Sequence, residues 1–124
     1  IDPRFNVRNF PLELVTDVDM ARWEVHAHYF ANNIRGVEVF AALEELDYLP
    51  CGPRQAMKYF AERKPDLSST GPLFISTFWF DANNVPQAPV FRLDDTENKV
   101  LSLLGLRNSM FDKDFGWLVL RHKE

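Results

Sequence analysis

The chain predicts an α+β domain: a mainly antiparallel sheet of five or six strands with two helices, at 37–47 and 53–63, packed on one face. Three observations carry this. Apolar residues recur at helical spacing in the middle of the chain. Strand-like alternation dominates from Leu73 onward. Pro and Gly fall at 50–53, 65–72 and 86–89, where they separate the two kinds of pattern.

Residues 1–9 read as irregular, and Phe10, Leu12 and Leu14 give a weak strand signal that stops at Asp17. The segment 22–30 fits two patterns. As a strand it puts Trp23, Val25, Ala27 and Tyr29 on one face and Arg22, Glu24, His26 and His28 on the other. As a helix it aligns Met20, Trp23, Ala27, Phe30 and Ile34, with Asp17 as N-cap. Trp, Val, Tyr and Phe favour the pleated surface, so the strand is preferred. A turn at 32–36 follows. Val39, Phe40, Leu43 and Leu46 then share one side of a helix whose other side carries Glu38, Glu44, Glu45 and Asp47.

Pro50-Cys51-Gly52-Pro53 breaks that helix, and Pro53 suits the first turn of the next, where its missing N–H has no partner to lose. Ala56, Met57, Phe60 and Ala61 point inward, and Pro65 ends the helix because the residue before a proline leaves the α region. Residues 73–81 read as one strand with two apolar faces: Phe74, Phe78 and Phe80 on one, Leu73, Ile75 and Trp79 on the other. Residues 90–94 and 99–104 form a hairpin across 95–98. Residues 116–122 are the last strand, with Leu118 and Leu120 opposite Trp117 and Val119. The strand ending in Tyr29-Phe30, its turn, and the run from Phe40 to Tyr48 resemble the opening strand–helix unit of ferredoxin-like small regulators. That likeness carries no functional residue with it.

The 124 residues are one domain's length, with 46% hydrophobic and 26% charged residues, which excludes disordered and collagen-like classes. The net charge is −4, and each half of the chain, divided after Lys64, carries −2. Phosphate-driven nucleic-acid binding needs clustered cations, and the best cluster, Arg54, Lys58, Arg63 and Lys64, is short, so nucleic acid is an unlikely partner. The lone Cys51 has no internal partner for a disulfide, which points to a reducing, cytoplasmic setting. No run approaches the ~18 apolar residues of a membrane span, so no membrane partner is expected. Because the chain opens on Ile1 rather than Met, a removed leader or a longer parent protein stays open.

Two functional readings follow. The first is a non-catalytic binding or regulatory protein with no cofactor. Two short helices leave part of an aromatic sheet uncovered, and Trp79, Ile75 and Trp117 are the expected anchors of a protein-protein contact, with a second copy as one candidate partner. The competing cover is the opening segment with Phe5 and Phe10. The second reading is a small metal-dependent enzyme. Glu24, His26 and His28 share one strand face, and two imidazoles plus a carboxylate suit a divalent transition metal, with His122 as a further ligand if its strand lies alongside. A weaker option makes Cys51 a nucleophile: it precedes a helix N-terminus, and a histidine base would activate it. The acidic pairs Glu44-Glu45 and Asp94-Asp95, and Asp112 with Asp114, read as solvated surface or turn residues.

Overall fold

A computed structural model describes Arg4, Arg8, Asn9 and residues 21–107 and 109–123. Apart from Arg4, Arg8 and Asn9, the expected irregular start, the strand signal at Phe10, Leu12 and Leu14, the cover by Phe5 and Phe10, and the N-cap Asp17 and stripe residue Met20 of the helical alternative lie outside the described residues. The elements run β1 (Trp23–Tyr29), β2 (Ile34–Arg35), α1 (Gly36–Glu45), β3 (Leu49–Pro50), α2 (Pro53–Arg63), α3 (Leu67–Thr70), β4 (Leu73–Ile75), β5 (Trp79–Phe80), β6 (Pro86–Leu93), β7 (Lys99–Gly105), β8 (Met110–Phe111) and β9 (Gly116–His122). The protein is α+β, with a mostly antiparallel seven-stranded sheet and a separate two-stranded pair of β2 and β8. The order of elements is not that of a ferredoxin-like fold, so the local likeness near α1 goes no further.

The segment 22–30 is a strand. β1 pairs antiparallel with β9 over its whole length, from Trp23 opposite His122 to Tyr29 opposite Gly116. On its other side β9 pairs parallel with β4 and, further along, antiparallel with β3. β4 pairs with β6, and β6 with β7 across the 94–98 turn. There the Asp94 carboxylate accepts from the backbone N–H of Thr96 and of Asn98, both at 2.9 Å, as a turn aspartate should.

The two main helices take opposite faces, which corrects the expectation of one. Successive strand residues point to opposite sides, so β9 sorts the molecule by parity. Trp117 and Val119 join Phe74, Val90 and Phe111 beneath Val39 and Leu43 of α1. Leu118 and Leu120 join Leu73 and Ile75 beneath Ala56 of α2 and Leu67 of α3. The short β3 crossing makes this possible, because it carries the chain through the plane of the sheet between α1 and α2. Trp117, Leu118, Val119 and Leu120 are all fully buried. Trp117 stacks on Phe74 with centroids 4.5 Å apart and meets Phe111 edge-on at 5.4 Å.

The expected continuous strand at 73–81 is two strands. Phe74 lies opposite Val90, but Trp79 lies opposite Gln87. The chain thus accommodates two more residues than β6 does, and they form a bulge at 76–78. Ser76, buried in the bulge, accepts the Cys51 backbone N–H on its Oγ at 2.8 Å. Among the described residues no helix is long and apolar enough to cross a membrane.

Replacing Trp117 by Ala is expected to lower unfolding stability by about 3–5 kcal/mol, the usual range for emptying an aromatic core site. Trp117→Phe should lose clearly less, because a ring remains and the indole N–H, which has no acceptor among the described residues, is gone. Urea denaturation checks both. An Ala variant within about 1 kcal/mol of the parent, below the normal cost of such a cavity, would contradict the packing described.

Candidate functional site

β1 presents Glu24, His26 and His28 on the α1 side, as its alternation requires, opposite Arg121, Val119 and Trp117 of β9. The imidazoles lie side by side with centroids 6.5 Å apart. Tyr48 reaches both, at 5.9 Å from His26 and 5.3 Å from His28, and Phe30 meets His28 edge-on at 4.8 Å. Tyr48 is placed by the end of α1. Asp47 adopts a left-handed backbone conformation, its N–H donates to the Glu44 carbonyl, and the Tyr48 N–H turns back to the Leu43 carbonyl. This Schellman closure folds the next residue onto the sheet.

The trio shares a face but does not form a metal centre. The Glu24 carboxylate is engaged by Arg121 at 3.6 Å. His122 points to the other side of the sheet, where its ring stacks on Trp23 at 3.8 Å. Among the described residues no group of three His, Cys, Asp or Glu side chains converges on one point. The expectation that Glu24, His26 and His28 hold a divalent metal is therefore corrected: period-two spacing aligns ligands along a strand without bringing their donor atoms together.

Burial instead makes the two histidines reluctant bases. Desolvation holds both below the ordinary imidazole value, and for His26 the nearby Arg121 and His28 add to that effect against the opposing pull of Glu24. Cys51 is fully buried on the α2 side, and its Sγ donates to the Gly52 carbonyl at 3.6 Å. The sheet separates it from His26 and His28, so the cysteine–histidine pairing is excluded.

Of the expected partner-binding anchors, Ile75 and Trp117 are at 0% exposure within this chain and leave the surface altogether. Trp79 is half-buried. The residues exposed in this region are its neighbours Phe78 and Phe80, at 41% and 51%. Phe78 touches Phe40 of α1 at 4.8 Å and Phe80 at 5.4 Å, so three aromatic rings run in series from the helix to the rim of the sheet. Phe78 and Phe80 keep the face their alternation predicts but lie past the break between β4 and β5 rather than inside one strand. The available signal was Ser76-Thr77, which interrupts the apolar run where the bulge forms.

A second surface feature lies on the opposite side. The outer stripe of α2 and the start of β1 enclose a groove of about 610 Å³ that contains Trp23, Tyr59, Arg54, Lys58, Arg63 and Lys123. The sequence shows its helical cations. What it does not show is that Trp23 and Lys123, from the two ends of the β1–β9 pair, come up against them. Comparison of the chain with protein-family models, with curated proteins and with solved structures finds no match.

Two outcomes follow. Both histidines titrate below their unfolded value, so in that window the unfolded chain binds more protons and stability rises with pH. Their contribution is complete above about pH 6.5, the unfolded imidazole value, and is lost as pH falls through the folded values. A His26→Gln/His28→Gln variant should therefore lose less of its urea midpoint than the parent between neutral and mildly acidic pH. An unchanged slope would contradict the burial of this pair. Separately, Cys51 should react with Ellman's reagent only on unfolding, whereas rapid native-state reaction would place the thiol at the surface.

Proposed function

We propose that this chain is a non-catalytic binding or regulatory protein, working in a reducing, cytoplasmic setting, whose contact surface is the aromatic patch at the sheet kink. The observation that supports this is the side-by-side exposure of Phe78 and Phe80 beside Phe40. Adjacent exposed aromatic side chains favour burial against another surface, and their stiff rings lose little freedom on contact.

A second copy of the chain is the partner this patch suits. Copies carrying net −4 repel each other, so self-association favours a neutral contact region. Residues 67–80 contain no charged side chain. β5 also pairs with β6 on one edge in a two-residue stretch too short to template long intermolecular sheets. A stable homodimer buries roughly 800 Å² per copy, so the rim around the rings joins the contact. The overall acidic charge argues against nucleic acid as the partner.

Size-exclusion chromatography with light scattering over a concentration series tests this reading. The parent should move toward twice its monomer mass of 14.4 kDa as concentration rises. Phe78→Ser/Phe80→Ser should stay monomeric with an unchanged circular dichroism spectrum, because both side chains already face out. A parent that remains monomeric throughout would remove self-association. A double variant that dimerises like the parent would remove the patch.

A further inference from the structure

The groove beside α2 is independent of the aromatic patch and lies on the other face of the sheet. Its wall on α2 is a continuous stripe. Arg54, Lys58 and Glu62 follow at four-residue spacing, and Gln55, Tyr59 and Arg63 form the adjacent row. The facing wall is the start of β1, with Trp23 and Glu24, joined by Lys123 just past the end of β9. The volume of about 610 Å³ is that of a small-molecule site.

The charge here opposes that of the whole molecule. In a chain of net −4, the described residues of this groove include four cations and two carboxylates. Both carboxylates have partners: Glu24 engages Arg121 at 3.6 Å, and Glu62 lies 3.9 Å from Lys58 along the helix. Arg63 and Lys123 make no ion pair with a described residue. Two cations from separate parts of the chain thus face one space without a neutralising partner among the described residues, which is the arrangement an anion completes. The same space contains two half-buried aromatic rings, Trp23 and Tyr59, and the first is held in place by the His122 ring at 3.8 Å. Cations beside ring faces accept a ligand that is anionic at one end and planar at the other. The net negative charge of the chain disfavours a long polyanion, whose further phosphates would lie over the rest of the surface.

We propose that this groove binds a phosphate monoester carrying a planar ring system, a compound of nucleotide type, with Arg63 and Lys123 on the phosphate and Trp23 and Tyr59 against the ring. Arg54 and Lys58 widen the cationic end. The site needs no dimerisation, so it stands or falls separately from the aromatic patch.

Isothermal titration of the full chain with AMP and FMN, and with adenosine, riboflavin and inorganic phosphate, tests both halves of the site. At least one of the two phosphate esters should bind at least tenfold more tightly than its phosphate-free counterpart and than phosphate alone, and should weaken with added salt. Arg63→Ala/Lys123→Ala should lower that affinity at least tenfold while leaving the thermal midpoint unchanged, since both side chains are exposed. Tyr59→Leu should weaken the ester and leave phosphate binding as it was. The proposal is overturned if neither ester outbinds its counterpart and phosphate, or if the double variant binds like the parent.

Discussion

The whole molecule hangs on β9. This strand is hydrogen-bonded along both edges and buried on both faces, and four consecutive residues, Trp117 to Leu120, are sealed from water. A strand in that position cannot slip by one residue without exchanging its two faces, which would drive Trp117 into the layer built for Leu118. Its register therefore fixes everything attached to it. It sets which side of β1 carries the histidines and where β3 crosses between the helices. It also puts the cysteine and the histidines on opposite sides of a continuous sheet. The separation of candidate chemical groups follows from strand parity rather than from any local property of those groups.

The exposed aromatic patch has the same origin. β4 runs beside β9 only as far as Leu118, because β3 takes the adjoining place at Val119 and Leu120. The chain must then leave β9, and Ser76 secures the exit by accepting the Cys51 N–H that follows β3. Past the bulge the strand pairs with β6, so Phe78 and Phe80 stand at the sheet's rim, where Phe40 of α1 meets Phe78. The sheet's most internal strand and its most exposed aromatic residues are thus consequences of one another.

Much of this was legible in the residues. Alternation at 22–30 and at 116–122, the two helices and the Asp94 turn are local patterns, and each element forms where its pattern lies, but of the α2 residues read as inward Met57 and Ala61 are exposed. The opposite placement of the helices was not legible, because it depends on which strand β3 joins, a contact between Leu49 and Leu120 that no local pattern encodes. The bulge escaped for a similar reason: Ser76 and Thr77 interrupt the apolar run only mildly, and their effect comes from the distant Cys51. The alternation alone puts Glu24, His26 and His28 on a shared face, yet a shared face fixes direction and not convergence. The groove was half legible. Its helical cations are consecutive turns of one helix, whereas its facing wall arrives from residues about 30 positions before and 70 after them.

The proposed meeting of two copies at the β4–β5 kink predicts a contact there that grows with protein concentration. Hydrogen exchange at low and high protein concentration measures that most directly. Amides at 77–80 should become protected as concentration rises, while those of β9 stay equally slow throughout. Protection that grows instead along β1, or nowhere, would contradict it.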